Sequence, residues 1–248
     1  SQVARRNACR IPEEEAVMTE RTISSLPVAS GEPDYRRNLA QRGFPAKHLA
    51  RGLNTWKPYN APSERARDVC TAFVQDWVNR VKIGPDDARE RLGKGILLCG
   101  PPSTGKTALA CAVAYEIRRR GVGVRFITAA NFVAALAEEN KLRVQADRGE
   151  PRAVDLFWSI KNLIGQINRV PLLVLDDLGH EHRTASDMAR DEIQRLLRNR
   201  HAAAKPTIVT SNFAPEVWRE LYGTAMAEFA FEAFDIVTLG GKGLRRDR

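Results

Sequence analysis

Eight consecutive residues have the types and spacing to grip phosphate. Gly100-Pro-Pro-Ser-Thr-Gly-Lys106-Thr107 sets a glycine, four residues and a second glycine before a lysine and a threonine. Glycines let a chain wrap closely enough for its N–H groups to point at phosphate oxygens, at the N-terminal end of a following helix. Lys106 then reaches the β- and γ-phosphates of a nucleotide, and Thr107 holds Mg²⁺. The residues expected to line the nucleotide are Gly100, Pro101, Pro102, Ser103, Thr104, Gly105, Lys106, Thr107 and Ala108. The apolar run Ile96 to Cys99 precedes them and the helix-competent run Ala108 to Ile117 follows, so strand, loop and helix come in the required order.

Two further strand-like runs end in polar groups. Pro171-Leu-Leu-Val-Leu-Asp176-Asp177-Leu-Gly179 terminates in adjacent carboxylates. Metal-assisted phosphoryl chemistry suits this pair: Asp176 for Mg²⁺ and its waters, Asp177 to polarise an attacking water. An acidic turn after a strand is common in α/β proteins and is informative only beside a phosphate loop. Thr207-Ile-Val-Thr-Ser-Asn212 is a buried run tipped by Ser211 and Asn212. Turns favour both residue types in any case, but parallel strands share one C-terminal edge, which sets Asn212 beside the γ-phosphate.

Positioning these tips takes a sheet. Val124–Thr128 and Ile236–Leu239 are the remaining short apolar runs, and helical patterns fall at about 130–141, 153–168 and 186–203. Continuous apolar runs suit strands buried on both faces, and strands alternating with helices predict a parallel sheet of five strands with right-handed crossovers. Before the sheet, apolar groups at Ala66, Val69, Cys70, Phe73, Trp77 and Val81 predict a helix over about 63–82 with Ser63 as its N-cap and Gly84-Pro85 as its stop. Lys141 to Pro151 is polar and reads as a mobile insertion. The first sixty residues are proline-punctuated and read as an arm, within which Pro12 to Thr22 is either a short partner-docking helix or a solvated tail. Arg42 to Tyr59 is richer in large apolar groups and is expected to lie against the following domain.

Composition bounds the class. The 248 residues are 43% hydrophobic, enough for a sizeable core. The net charge is +9, with 30 Arg against 9 Lys, which suits phosphate-rich partners because a guanidinium grips phosphate through two parallel hydrogen bonds. Cys9, Cys70, Cys99 and Cys111 have no metal-ligand spacing, and three of them sit in apolar patterns as buried thiols. No run approaches a membrane span, and a cytoplasmic protein is expected.

Together GPPSTGKT, LLVLDDLG and TIVTSN, in this order and at these separations, resemble the AAA+ ATPases. Within them they are similar to the DnaC-type replicative helicase loaders and the IstB-type transposition helper ATPases. The similarity runs from about Gly43 to Arg246 and includes Phe126–Phe132 and Gly240–Arg245; residues 1–40 show none. The resemblance implies a P-loop NTPase three-layer sandwich over 61–248, with an extended or helical arm over 1–60 that grips a partner. It implies that Gly100–Thr107 is Walker A, Asp176 and Asp177 are Walker B, Asn212 is sensor 1 and Arg245 is the sensor 2 arginine. ATP and Mg²⁺ are the implied cofactors. A hexameric replicative helicase, single-stranded DNA and further copies of the chain are the implied partners. Trp56 and Tyr59 lie where the family passes a segment over the adenine, and packing anchors are an equal reading. In loaders of this kind the helix after sensor 1 carries trans-acting arginines. Here Thr224–Phe231 has none, which leaves Arg219, Arg198 and Arg200 as substitutes, or a partner's arginine, or slow turnover. Arg200 reads equally as a helix C-cap, and Arg118–Arg120 as cations closing a helix. Helicase loading is the first reading; a transposition helper, a nucleotide-gated adaptor and a small-molecule kinase are the alternatives.

Overall fold

The computed structural model describes residues 32–49, 51–82, 89–179 and 187–241. Five runs of apolar residues form strands: β1 Gly95–Cys99, β2 Val124–Thr128, β3 Leu172–Leu178, β4 Thr207–Ser211 and β5 Phe234–Thr238. They pair in the order β2-β3-β4-β1-β5, every pair parallel. Alternate residues serve opposite faces. Ile96, Leu98, Leu172, Val174 and Ile208 join one core cluster, and Leu97, Leu173, Leu175 and Val209 join the other. Burial on both faces is why these runs are continuously apolar. The order also makes β3, β4 and β1 neighbours, so their C-terminal tips share one edge.

One face is covered by α1 Glu32–Gln41, the segment through Trp56, α2 Ala61–Gln75 and α3 Lys106–Arg119. The opposite face is covered by α4 Ala129–Asp147, α5 Pro151–Arg169, α6 Asp187–Ala202, α7 Pro215–Tyr222 and α8 Thr224–Ala233. The result is the expected three-layer α/β/α arrangement. Leu39, Phe44, Leu53 and Trp56 are buried in the first core cluster, so the chain from α1 onward is part of the packed body. Arg42 also covers the open side of β2. Its carbonyl accepts from Phe126 N at 3.0 Å and its guanidinium donates to Val124 O at 3.3 Å, which occupies a strand edge otherwise free to pair elsewhere.

Two elements differ from their sequence expectations. The helix expected over 63–82 begins earlier and ends sooner: Asn60 is the N-cap of α2, Ser63 is its third residue, and a short 3-10 turn, Trp77–Arg80, follows. Asn60 and Ser63 exchange side-chain and backbone hydrogen bonds as a capping box, so the two cap-type residues hold reciprocal roles. Lys141 to Pro151 is not a loop insertion. α4 continues to Asp147, only Arg148–Glu150 connect it to α5, and the pair forms an antiparallel hairpin. The stretch is polar because its outer surface faces solvent, not because it lacks structure. Among the described residues, no helix is long and apolar enough to cross a membrane. Pro12–Thr22, Gly84-Pro85 and Arg245 lie outside the described residues.

Candidate nucleotide site

The phosphate loop joins β1 to α3 at the shared edge. Gly105, at φ 90°, is the N-cap of α3, and a side chain at Gly100 would overlap the Leu239 carbonyl oxygen. Thr104, fully buried, donates from its hydroxyl to Pro101 O at 2.9 Å and ties the loop across itself. Tyr59 donates from outside to the Thr104 carbonyl at 2.9 Å. Trp56 is buried in the core and is a packing anchor, whereas Tyr59 touches the loop's rim. The Lys106 ammonium donates at 2.8 Å to each of Gly100 O, Pro101 O and Asn212 Oδ1. Burial lowers its pKa, and the Asp177 and Asp176 carboxylates oppose that shift.

The two carboxylates occupy contrasting environments. Asp176 is 7% exposed, and its Oδ1 accepts from Thr210 Oγ1 at 2.6 Å and from Thr107 Oγ1 at 2.9 Å. Burial raises its pKa; the two hydroxyls lower it, and the neighbouring Asp177 carboxylate adds to the rise. Asp177 is exposed and holds φ 62°, a left-handed conformation that Asp tolerates better than most residues. That kink turns the second carboxylate out of the strand. Asn212 Nδ2 donates to Asp177 Oδ1 at 3.4 Å. Thr210 is a site residue that motif spacing missed. Its hydroxyl donates to Asp176 and accepts from Asp177 N at 2.9 Å, fixing both carboxylates from the adjacent strand. The sequence signal was a hydroxyl residue following Ile208-Val209 in a strand buried throughout, where a buried hydroxyl needs partners.

A divalent cation fits this donor set. A threonine hydroxyl and a desolvated carboxylate, all oxygen, are the hard ligands Mg²⁺ prefers, and a carboxylate whose ionised form burial disfavours gains from an adjacent cation. Thr107 and Asp176 are the residues that would hold it. Lys106, Thr107, Asp176, Asp177 and Asn212, separated by up to 106 positions in sequence, are thereby brought to one place.

The candidate arginines divide. Arg200 is excluded as a residue that reaches a neighbouring molecule. It is 1% exposed and donates to the carbonyls of Ile167, Asn168, Val170, Pro171 and Pro206 and to Thr207 Oγ1. It caps the C-terminal carbonyls of α5 rather than those of its own helix. Burial pulls its pKa down to about 9, above neutrality, so the group remains a cation. Arg198 donates to Ala225 O at 2.8 Å and stacks on Phe229 within its own chain. Arg219 is exposed in the last turn of α7, which is the first helix after Asn212; the arginine-free Thr224–Ala233 is the second. Arg118 donates to Gly121 O and Val122 O and Arg120 to Val74 O, so both serve helix ends.

Residues 91–235 match the family model of the IstB-like ATP binding proteins. A Mycobacterium tuberculosis protein described as ATP-binding and located in an insertion sequence is 32% identical over 130 residues, 52% of this chain and 45% of its own length. The replicative helicase loader DnaC of Escherichia coli K12 is 27% identical over 127 residues, 51% of this chain and 46% of its own. The chain thus spans about half the length of the curated relatives it matches. A crystal structure of the DnaC helicase loader superposes with a TM-score of 0.58 at 22% identity, over 79% of this chain and 100% of that one. The fold is the five-stranded P-loop sheet of AAA+ proteins.

Proposed function

The chain belongs to the IstB-like ATP binding protein family, and from that premise we propose that it hydrolyses ATP to gate its assembly with DNA and a protein partner. The observation that carries the catalytic half is one hydrogen-bonded series, Thr107–Asp176–Thr210–Asp177–Asn212, at the mouth of the phosphate loop. Lys106 neutralises the terminal phosphates once it exchanges its loop carbonyls for phosphate oxygens. Thr107 and Asp176 would hold Mg²⁺, which would supply charge neutralisation on the phosphoryl group. Asp177 accepts a proton from the attacking water, and the Asn212 amide orients that water and the carboxylate together. Arg219, exposed in the last turn of α7, is the candidate to act across a subunit interface, and the resemblance assigns contact with the γ-phosphate of the same subunit to Arg245.

The DNA half rests on charge and on the α4–α5 hairpin. The chain carries +9, and Trp158 is 53% exposed with the Lys161 ammonium 4.9 Å from its ring centre. An exposed aromatic face beside a cation suits stacking of nucleic-acid bases. The family model and the insertion-sequence relative favour a transposition helper as the first reading of the partner. The likeness to DnaC supports a replicative helicase as the second. Gel shifts with ATP on duplex and single-stranded DNA, followed by partner capture with the full chain, test both. Duplex preference with transposase capture supports the first reading, single-strand preference with capture of a hexameric helicase supports the second, and no ATP-dependent DNA binding rejects both.

A further inference from the structure

Asn60 does two jobs that only an amide can combine. Its Oδ1 accepts from Ser63 N at 2.9 Å and caps α2; its Nδ2 donates at 2.7 Å to the carbonyl of Gly240, 180 residues away in the turn after β5. Serine, threonine or aspartate would cap the helix about as well, but none offers an acceptor and an amide donor on one rigid group. The turn is shaped around that donor. Gly241 sits at φ 111°, and a Cβ there would lie within 2.5 Å of Asn60 Nδ2. The preceding residue, Tyr59, reaches the phosphate loop through its hydrogen bond to Thr104 O at 2.9 Å. The third side of the triangle is direct: Leu239 N donates to Cys99 O at 2.8 Å, at the entrance to the same loop. Loop, Tyr59-Asn60 and the 239–241 turn therefore close on one another.

We propose that Asn60 is a positioning residue of the nucleotide site, tethering the turn after β5 to the rim of the phosphate loop so that the two respond to nucleotide as one unit. The proposal rests on the reading that Gly100–Thr107 bind nucleotide. It differs from a packing role in one respect: the tether can be cut while the helix cap is kept.

Asn60→Asp in the full chain makes that cut. Aspartate retains the acceptor for Ser63 N, has no donor for Gly240 and sets a carboxylate against a carbonyl oxygen. Asn60→Ala removes cap and tether together. Three readouts are compared: melting temperature, titration with a fluorescent ATP analogue, and the rate of tryptic cleavage after Lys242, the residue that follows the tethered turn. In the wild type, saturating Mg·ATP is expected to slow cleavage after Lys242 by about fivefold or more. Asn60→Asp, which keeps the cap, is expected to melt closer to the wild type than Asn60→Ala does, to bind ATP about tenfold more weakly, and at saturating ATP to show less than twofold protection. Asn60→Ala is expected to lose both protection and melting temperature. Wild-type protection in Asn60→Asp at saturating ATP would overturn the proposal, as would a wild type that binds ATP without protecting Lys242. A wild type that binds no ATP analogue would overturn the nucleotide reading itself, which keeps the two failures apart.

Discussion

Lys106 Nζ lies 2.8 Å from Asn212 Oδ1, while the other end of the same amide points at Asp177 Oδ1, 3.4 Å away. One side chain thus spans the cation that meets phosphate and the carboxylate that meets water. The two ends predict separable losses. Lys106→Ala should abolish ATP binding in a nucleotide titration. Asn212→Ala should bind ATP within about threefold of wild type, since Lys106 loses one of three acceptors and keeps its charge, yet release phosphate ~10²-fold more slowly, because water positioning is lost. Equal losses of affinity in both variants would contradict this division.

Asp176 predicts a conflict between stability and function. Burial raises its folded-state pKa above the ordinary carboxylate value, so the protonated form is the one favoured by folding. The sign follows: below the unfolded pKa both states are protonated and the group is neutral in effect. As pH rises from there through the folded pKa, the native state loses stability relative to the unfolded chain. Asp176→Asn removes that penalty while leaving an amide oxygen to accept from Thr107 and Thr210. Without nucleotide, the variant should melt at or above the wild type at pH 7, and the difference should close as pH falls through the carboxylate range. Stabilisation by added Mg·ATP should vanish. Thermal melts across pH, with and without Mg·ATP, read all three effects.

Most of this site was legible in sequence because its parts are contiguous. Strand, loop and helix follow one another from Ile96 to Ile117, and Asp176 and Asn212 stand at the ends of short strand-like runs with apolar centres, Leu172–Leu175 and Ile208–Val209. What escaped was non-local. Asn60 and Ser63 are both cap formers three residues apart, and no local pattern says which one takes the cap and which the third position. Thr210 acts through β3, a neighbour known only once strand order is known. Lys141–Asp147 is mostly exposed, Leu142 alone among these seven being buried, so helical periodicity faded where the helix did not. Arg200 read as a substitute trans-acting arginine or a cap of its own helix because all its acceptors but Thr207 and Pro206 lie about thirty residues upstream.

Those acceptors make Arg200 the strongest stability prediction. It joins the end of α5 to the starts of β3 and β4 by hydrogen bonds at 2.8 Å to Ile167 O, 2.9 Å to Val170 O and 3.0 Å to Pro206 O. Arg200→Met fills similar volume but strands buried carbonyls, at a cost of ~3 kcal/mol or more. For a chain of this size that corresponds to a melting temperature lower by roughly 6–12 °C. Lysine at this position should recover only part of it, since one ammonium cannot span acceptors at both the end of α5 and the start of β4. ATP affinity measured well below the melting range should stay near wild type, because the residue lies at the opposite end of the sheet from the phosphate loop.

Arg219 carries the remaining prediction. It stands exposed in the final turn of the helix that follows Asn212, and its neighbour Trp218 is fully buried, so the backbone that presents it is anchored. An arginine delivered into a neighbour's phosphoryl-transfer site contributes ~10³–10⁵ in rate. Arg219→Ala should therefore retain ATP binding and lose hydrolysis stimulated by DNA or partner. Asp177→Asn should also bind ATP and fail to turn over, for the separate reason that its own site lacks a base. Mixing the two inactive variants decides the geometry. Where an Asp177→Asn subunit offers its intact Arg219 to an Arg219→Ala subunit with an intact Asp177, one complete site forms, and phosphate release should return to roughly a quarter of the wild-type rate at equal mixing if neighbours are random. Recovery of that order places Arg219 in trans. A mixture as inactive as either component would show that Arg219 serves its own subunit or takes no part in the reaction.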